Sequence, residues 1–201
     1  MMRLRYSPTS PFARKVRTAA GHLGLPLDLE LADTGNESDT LMRQNPLGKL
    51  PVLLDGDRAP LFDSPVILAW LDHKAGGGKI LPTETDARFE AMRLEALADG
   101  IMDATLLVVY EQRFRPESAR FDGWTDRQKL KVSRALAALN ADVAALGSAV
   151  TTGTIALACA LEYADLRLGR GWREGNDALV EWLAAFHAAC PSFATTAPPA
   201  A

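Results

Sequence analysis

The sequence predicts an α/β + all-α protein, in which a domain with the element order βαβ–ββα precedes an all-helical domain. Short apolar segments with strand character alternate with helical segments before about residue 80, and every strong apolar pattern after it has helical periodicity. Between these two regions, Gly76-Gly77-Gly78 with Pro82 nearby interrupts all periodicity, as a linker does. We therefore expect domains at residues 1–78 and 84–201.

The first half of the chain contains four segments predicted as strands and two predicted as helices. The strand segments are short and apolar or alternate apolar with polar residues, whereas the helix segments carry apolar residues at helical spacing. The turn Asp55-Gly56-Asp57 predicts that the last two strands pair antiparallel. The expected strands are residues 3–6, 27–31, 52–54 and 59–62, and the expected helices are residues 12–24 and a segment that opens at Asp63-Ser64-Pro65.

The second half contains only segments with the apolar spacing of helices. A long first helix is expected to be interrupted by Gly100, because glycine is a poor helix former. The tail is rich in Pro, Ala and Thr and is expected to lie over the surface without regular structure. The predicted helices are residues 86–114, 125–147, 154–168 and 176–189, and the tail is residues 191–201.

Composition and charge narrow the function classes. The 201 residues include 22 Lys and Arg against 25 Asp and Glu, which gives a net charge of −3 and a pI of about 5.6. This balance lacks the basic surplus of most nucleic-acid binders, and no apolar run is long enough to span a membrane. We therefore expect no nucleic-acid partner, no membrane partner and a cytoplasmic location. Two cysteines, and three histidines without ligand spacing, predict neither a disulfide framework nor a metal site.

The segment Ser10-Pro11-Phe12 begins the first helix, and two interpretations of Ser10 stay open. Serine before a proline is what helix-capping preferences produce, so a cap is a sufficient explanation. The alternative uses the same geometry, because free N–H groups and the positive end of the helix dipole favour an anion and lower the pKa of a thiol. Ser10 would then donate a hydrogen bond to a ligand thiolate, and Thr9 offers a second hydroxyl one residue earlier.

Two further segments have both a structural and a functional interpretation. Lys49-Leu50-Pro51 precedes a strand, where a trans proline is usual, but a cis bond would let the Leu50 backbone pair with a peptide and place Lys49 near its carboxylate. Asp63-Ser64-Pro65 is typical of a helix cap, but Ser64 at a helix N-terminus also suits a carboxylate, and Asp63 suits an ammonium group. Together these features indicate a small zwitterionic peptide as ligand.

Three motifs in register, followed by an all-α half, resemble one family. Ser10-Pro11-Phe12 follows the first strand, Asn-Pro-Leu-Gly-Lys-Leu-Pro at residues 45–51 precedes the third, and Asp63-Ser64 opens the last helix of the first half. This order resembles the N-terminal thioredoxin-like domain of glutathione transferases, and the helical remainder resembles their C-terminal domain. The segments Ser10–Val16 and Glu95–Ala104 are most similar to small bacterial members of that family.

The resemblance implies where the glutathione thiol and its neighbouring groups bind. Ser10 would contact the sulfur as the catalytic residue, at a position where thiol-transfer members have a cysteine, so disulfide exchange through a protein thiol is not expected there. Thr9 and Phe12 flank that position and belong to the predicted glutathione site.

The resemblance also assigns the two ends of the glutathione molecule. The Leu50 backbone would pair with the cysteinyl part beside a cis Pro51, and Lys49 would meet the glycine carboxylate. Asp63 and Ser64 would bind the γ-glutamyl end, with aspartate standing where many members have glutamate or glutamine. No metal is implied, and glutathione would act as co-substrate.

A pocket for the second substrate is expected between the Tyr6–Thr9 loop and the long helix after the linker. On that helix Asp103, Leu106 and Tyr110 share a face because they recur at spacings of three and four. The same stripe is equally typical of helix core or of a dimer contact. The resemblance implies a homodimer, with Met92, Leu94 and Asp99 nearer the subunit interface.

One buried helix departs from the pattern of the family. Many members start it with Ser/Thr-x-x-Asp, a capping box in which the acid bonds back to the cap. Here Thr154 replaces the acid after Thr151, so we expect a weaker reciprocal bond.

Two function hypotheses follow from the sequence. The first is a glutathione transferase that lowers the thiol pKa with the Ser10 hydroxyl and the helix dipole, so that the thiolate attacks a small hydrophobic electrophile. The second is a non-catalytic binding or interaction module that retains the fold, since a fold alone does not fix a function. The combined presence of Ser10, Lys49, Pro51, Asp63 and Ser64 favours the first.

Overall fold

Three strands form one sheet in the N-terminal domain of the computed structural model, which describes residues 1–36 and 39–199. The sheet has the order β2-β1-β3, with strands β1 (Met2–Tyr6), β2 (Leu27–Leu31) and β3 (Val52–Asp55). β1 is parallel to β2 and antiparallel to β3. The predicted α/β domain followed by an all-α domain is confirmed.

The fourth predicted strand, at residues 59–62, is wrong. Of residues 59–62, all of which the structure describes, only Leu61 pairs with β3, through an isolated bridge in which Leu53 and Leu61 exchange two N–H···O bonds of 2.9 Å. Pro60 has no N–H to donate to a ladder, and two residues after Leu61 the chain already turns into a helix at Asp63. The hairpin therefore ends after one bridge.

Helices α1 (Pro11–His22), α2 (Leu41–Gln44) and α3 (Ser64–Lys74) complete the N-terminal domain. α1 and α3 contact each other, and Val16 and Ile67 join Leu4 and Leu53 of the sheet in the buried core. The sequence patterns do not predict the single turn of α2, which tertiary contacts with Arg5 fix in place. The buried Arg5 guanidinium donates to Thr40 Oγ1 at 2.8 Å, to Gln44 Oε1 at 2.7 Å and to Asp39 Oδ1 at 2.5 Å.

Up to residue 199, where the described part of the C-terminal domain ends, this domain has five α-helices: α4 (Thr85–Phe114), α5 (Asp122–Ala141), α6 (Thr152–Leu168), α7 (Asp177–Ala189) and α8 (Pro191–Thr195). α6 is buried along most of its length and contacts both α4 and α1, so it joins the two domains. None of the helices in the described ranges is both long and apolar enough to cross a bilayer.

Three predicted details of the helical half are wrong. α4 continues through Gly100 without a break, because the buried neighbours Ala98, Ile101 and Met102 stabilise the helix by more than the roughly 1 kcal/mol that one glycine costs. α5 ends at Ala141, and residues 143–146 form a separate 3₁₀ turn. The tail is also not irregular throughout, since residues 191–195 form α8.

α8 forms because its apolar and hydroxyl side chains dock on α1. Phe193 is fully buried, and Ser192 Oγ donates to the Thr18 carbonyl at 2.9 Å. The hydroxyls of Thr18 and Thr196 are 2.9 Å apart. The Pro, Ala and Thr content of the tail does not predict these contacts, because they depend on the position of α1.

The linker between the domains is held by one carboxylate. Asp72 on α3 accepts N–H bonds of 2.8 Å from Gly78, Lys79 and Ile80, and a longer one of 3.3 Å from Leu81. Burial acts to raise the pKa of Asp72, but the four N–H donors outweigh it and hold the pKa below its usual value. The glycine-rich segment is thus an ordered connection at the domain junction.

Candidate functional site

A cavity of about 220 Å³ opens where the loop before β3 and the first turn of α3 face α4. Most of its wall consists of residues that the sequence analysis assigns to glutathione, and α4 adds two carboxylates. The lining residues are Phe12, Asn45, Leu47, Lys49, Leu50, Pro51, Phe62, Asp63, Ser64, Asp99 and Asp103. Six residues of the predicted glutathione site are thus brought together: Phe12, Lys49, Leu50, Pro51, Asp63 and Ser64.

The loop that presents Lys49 is shaped by Asn45 and Gly48. The buried Asn45 side chain accepts the Leu47 N–H and donates to the Lys49 carbonyl, both at 3.0 Å. Gly48 has a φ of +62°, and a Cβ there would lie 2.6 Å from the sulfur of Met42. The positive φ therefore requires glycine, whereas the flexible end of Met42 could move aside, and the loop leaves the Lys49 side chain exposed at the cavity.

The Leu50–Pro51 peptide bond is cis, as the family resemblance implies. Phe62–Asp63 is also cis, and both bonds border the cavity. Within the described part of the chain, no hydrogen bond uses the N–H or the C=O of Leu50. A bound peptide can therefore pair with this backbone as an added strand does.

The N-terminus of α3 supplies both a carboxylate and a hydroxyl. Asp63 occupies the N-cap position, but its side chain makes no capping hydrogen bond to the described residues and is exposed at the cavity. Ser64 is buried, and its Oγ accepts a hydrogen bond of 3.2 Å from Lys15 Nζ. The free N–H groups at a helix start favour an anion beside them.

Behind this wall lies an ion cluster that the sequence analysis does not predict. Lys15 has no exposed surface, and its Nζ lies 2.9 Å from Glu95 Oε1 and 2.7 Å from Asp99 Oδ1. The sequence does contain a signal for this cluster, because Lys15 lies within the Ser10–Val16 motif and both acids lie within the Glu95–Ala104 motif. A lysine beside Val16, on the buried face of α1, requires a partner charge.

The two α4 carboxylates have raised pKa values. Burial raises the pKa of Asp99 to about 6, although Lys15 acts against the shift. Burial also raises the pKa of Asp103, with Lys49 acting to lower it and Asp63 acting to raise it. These opposing effects arise because Asp103, Lys49 and Asp63 face the same cavity.

A second, much smaller cavity of about 10 Å³ lies beside the start of α1. Ser10 Oγ accepts the Ala13 N–H at 3.2 Å, so Ser10 does cap the helix. A hydroxyl that accepts still has its own proton to donate, and the described residues give that proton no acceptor. The capping and functional interpretations are therefore compatible. The cavity is lined by Pro8, Thr9, Ser10, Pro11, Arg14, Cys159, Tyr163, Leu166 and Pro198.

The chain and its fold are similar to proteins of one family over nearly their whole length. Sequence models described as "Glutathione S-transferase, N-terminal domain" and "Glutathione S-transferase, C-terminal domain" match residues 4–79 and 122–185. An uncharacterized GST-like protein of Escherichia coli strain K12, YibF, is 34% identical over 204 residues that cover 100% of both chains. The chain belongs to the glutathione S-transferase family.

Solved structures of family members agree with this assignment. A family member from Pseudomonas fluorescens Pf-5, solved with bound glutathione, has a TM-score of 0.93 and 36% identity over 99% of this chain and 100% of its own. A glutathione S-transferase from Methylobacillus flagellatus KT, also with glutathione bound, has a TM-score of 0.91 and 35% identity over 98% of this chain and 100% of its own. The ligand in both belongs to the class that the sequence motifs indicate.

The residues assigned to a second substrate pocket are dispersed within this glutathione S-transferase fold. Asp103 lies on the larger cavity, with Asp63 and Ser64. The described residues that line the two cavities do not include Tyr6, Leu106 or Tyr110. Tyr6 and Leu106 pack against the core, and Tyr110 contacts Phe114 with ring centroids 5.0 Å apart.

Tyr163 and Leu166 of α6 reach the smaller cavity instead. The sequence gives no signal for them, because nearly every residue of α6 has the character of core. Leu94 and Asp99, which the resemblance places nearer a subunit interface, make contacts within the chain. Leu94 packs beside Gly153 of α6, and Asp99 pairs with Lys15.

Cys159 also lines the smaller cavity, as Ser10 does. Its side chain is fully buried, and burial raises the pKa of its thiol to about 12. A thiol with so high a pKa is a poor nucleophile near neutral pH. Cys159 therefore does not replace the cysteine that thiol-transfer members have at the helix start.

Proposed function

We propose that this chain is a glutathione transferase that binds glutathione in the larger cavity and activates its thiol at Ser10. The observation that carries the proposal is the complementarity of that cavity. It combines a lysine, a helix N-terminus with a buried serine, a free backbone segment and several carboxylates. Glutathione has two carboxylates, one ammonium group and a peptide backbone, and each has a matching group on this cavity. The group that matches its thiol, Ser10, lies on the neighbouring smaller cavity.

The γ-glutamyl end binds at α3 and α4. Its carboxylate lies at the N-terminus of α3, where the Ser64 hydroxyl and the helix dipole stabilise a negative charge. Its ammonium group binds Asp63, and Asp103 from α4 supplies a second carboxylate on the same cavity. This second acid offsets the short reach of aspartate at position 63.

The cysteinyl and glycyl parts bind along the loop before β3. The unpaired N–H and C=O of Leu50, next to cis Pro51, pair with the cysteinyl backbone. The exposed Lys49 ammonium meets the glycine carboxylate. Phe12 lies on the same cavity and follows Ser10 and Pro11 in the chain. The glutathione thiol therefore lies toward the start of α1.

The Ser10 hydroxyl then donates to the thiolate, with the α1 dipole adding to the stabilisation. The thiol proton leaves to solvent, the sulfur forms a bond to an electrophilic carbon, and the leaving group departs with its electron pair. Each unit by which the thiol pKa falls is worth about 1.4 kcal/mol. Thr9, which is exposed beside Ser10 on the smaller cavity, is the alternative hydroxyl donor.

The hydrophobic electrophile binds next to the thiol, between the loop that contains Thr9 and helix α6. Tyr163 and Leu166 supply apolar surface there. Tyr6, Leu106 and Tyr110 remain the predicted outer part of this pocket. The division into a glutathione-binding domain at residues 1–78 and an electrophile-binding domain at residues 84–201 is part of the same proposal.

A homodimer is also proposed, and exposed apolar side chains support it. Phe89 and Met92 lie three residues apart on one face of α4 and are 63% and 44% exposed. Light scattering at micromolar protein concentration tests this, with Phe89→Ser as the variant. A native mass of one chain would contradict the proposed dimer.

The test of the proposed activity is the ultraviolet absorbance of the thiolate, followed against pH with glutathione and saturating protein. We expect the bound thiol to have a pKa well below that of free glutathione, and Ser10→Ala to restore the free value. Thr9→Ala is the matched control and should leave the low pKa in place. A low pKa in Ser10→Ala that Thr9→Ala abolishes would transfer the role to Thr9. An unshifted thiol pKa, or no binding, would contradict the transferase and favour the non-catalytic module.

A further inference from the structure

The three N–H groups of the Lys15 ammonium are fully used inside the protein. They point to Ser64 Oγ on α3 at 3.2 Å, to Glu95 Oε1 on α4 at 2.9 Å and to Asp99 on α4, with Oδ1 at 2.7 Å and Oδ2 at 3.0 Å. Lys15 itself belongs to α1 and has no exposed surface. One buried cation therefore connects the three helices around the larger cavity.

This arrangement fixes what the Ser64 hydroxyl can do. A hydroxyl has one proton to donate and lone pairs that accept, whereas an ammonium group can only donate. Because Lys15 donates to Ser64 Oγ, the Ser64 proton must point away from Lys15. The described part of the chain provides no acceptor for that proton, and Ser64 lies on the cavity wall.

We propose that Lys15 is a positioning residue that converts Ser64 into a hydrogen-bond donor directed at the α-carboxylate of the γ-glutamyl group. The inference rests on the proposed function and deepens it, because it names what selects the carboxylate at this end of the ligand. Without Lys15 the hydroxyl is free to rotate and to accept from solvent. With Lys15 it is already oriented before glutathione arrives, so less ordering is needed on binding.

The cluster acts through hydrogen-bond direction and not through net positive charge. Glu95 and Asp99 together oppose the single charge of Lys15, so the cluster offers a ligand carboxylate no surplus of positive charge when both acids are ionised. The effect should therefore be confined to ligands that accept a bond from Ser64. A merely structural role for Lys15 would instead weaken all ligands alike.

The experiment compares glutathione with 4-aminobutyryl-cysteinylglycine, which has the same ammonium, thiol and glycine groups but lacks the α-carboxylate. Calorimetry gives the dissociation constant of each, and the ratio of the two constants measures recognition of that carboxylate. For Ser64→Ala we expect the ratio to fall about tenfold, in line with the loss of one hydrogen bond to a charged group. Affinity for the analogue should change by less than about threefold.

Lys15 is tested with its partner acids neutralised, so that no buried charge is left unpaired. K15M/E95Q/D99N should lower the ratio by about threefold, because the freed hydroxyl must be fixed in one of three staggered positions on binding. Adding Ser64→Ala to it should complete the fall of about tenfold. E95Q/D99N, which keeps Lys15 beside Ser64 but removes its two counter-charges, is the matched control, and its ratio should stay at or above the native value. Replacing a buried ion cluster by neutral groups of similar size is commonly tolerated. K15M/E95M/D99N is a second version in case the first does not fold.

The outcomes separate the two proposals. A native ratio in a folded K15M variant would overturn the positioning role, whatever its melting temperature. An equal loss of affinity for both ligands would overturn it too, because it would indicate a structural role alone. If the unaltered chain binds neither ligand, the proposed function fails first and the inference falls with it.

Discussion

Lys15 Nζ lies 2.7 Å from Asp99 Oδ1, yet this contact does not keep the Asp99 carboxyl in its usual pKa range. Asp99 has only 18% of its side chain exposed, and burial raises its pKa to about 6 against the pull of Lys15. Glu95, which shares Lys15, adds to the shift by like-charge repulsion. The pair therefore links the docking of α1 on α4 to pH.

The stability of the protein should depend on pH through Asp99. Its folded pKa is about 6, whereas the ordinary value is 3.8, so the folded state holds the proton more tightly. The resulting stabilisation is complete below the unfolded pKa and is lost as pH rises through the folded one. Between pH 4 and pH 7, we expect the free energy of unfolding to fall relative to Asp99→Asn by on the order of 3 kcal/mol. Urea unfolding across that range measures it.

Glu95→Gln is the control for this assignment. Removing the Glu95 charge removes a repulsion that raises the Asp99 pKa, so the step should remain but move to lower pH. Stability curves of the native chain and Asp99→Asn that run parallel from pH 4 to 7 would show that Asp99 does not titrate in this range.

Asp72→Asn should destabilise the domain junction by about 2–4 kcal/mol. The amide keeps one acceptor oxygen and adds a donor where the carboxylate accepts four N–H groups from residues 78–81. Because the folded pKa of Asp72 is lowered, the stabilisation is present above its unfolded pKa and disappears as pH falls through the folded one. The native chain and the variant should therefore differ at pH 7 and converge in acid.

Asp57→Asn is the comparison for Asp72, because Asp57 is an exposed acid in the turn after β3. It should change the free energy of unfolding by less than about 0.5 kcal/mol. Chemical denaturation at pH 7 measures both variants. Equal effects of the two substitutions would mean that the bonds of Asp72 to the linker contribute nothing specific.

Gly153→Ala and Gly100→Ala should have opposite effects on stability. A Cβ at Gly153 would lie 2.5 Å from the Ala91 carbonyl oxygen and 2.9 Å from Leu94 Cβ, so α4 and α6 would have to separate. We expect a loss of about 1–3 kcal/mol. A Cβ at Gly100 meets nothing within 4 Å, and alanine inside a helix gains up to about 1 kcal/mol. A higher melting temperature of Gly153→Ala would contradict the close packing at Gly153, and a lower one of Gly100→Ala would contradict the open space at Gly100.

Thr154→Val and Thr152→Val, at the start of α6, should also have opposite effects on stability. Thr154 Oγ1 accepts the Thr151 N–H at 2.7 Å and donates to the Ala149 carbonyl at 2.9 Å, so valine should cost about 2 kcal/mol. Thr152 Oγ1 is buried without a hydrogen-bond partner among the described residues, so valine should gain about 1 kcal/mol. Thermal unfolding of both variants tests this, and destabilisation by Thr152→Val would indicate a partner for its hydroxyl.

The start of α6 shows what the local sequence predicts about a helix cap and what it does not. The sequence places the cap at Thr151, with Thr154 in place of the usual acid. A weaker reciprocal bond is expected, but the Thr154 hydroxyl accepts the Thr151 N–H at 2.7 Å and donates a second bond to the Ala149 carbonyl at 2.9 Å. A motif names the residues of a turn, whereas the contact to Ala149 depends on the path of the preceding chain.

Most strands and helix starts were predictable because each depends on short-range chemistry, whereas the glutathione-site residues are expected from the family resemblance. Residue spacing, proline, glycine and capping preferences act within a few positions, and they placed Ser10, Asp63 and Ser64 at helix starts. The strand at 59–62 failed because Pro60 leaves only the bridge at Leu61. The order of the tail in α8 was missed because it depends on contacts with Thr18, which is 174 residues away from Ser192.

The sequence by itself determined the two kinds of domain, the loops that carry Lys49 and Pro51, and the helix starts at Ser10 and Ser64. The tertiary structure alone decided that Lys15, Ser64, Glu95 and Asp99 meet, since their contacts span 49 to 84 positions of the chain. It also decided that Asp103 faces Asp63, and that α6 contributes Tyr163 beside Ser10. Local preferences act along the chain, whereas burial and charge pairing act between segments that only packing brings together.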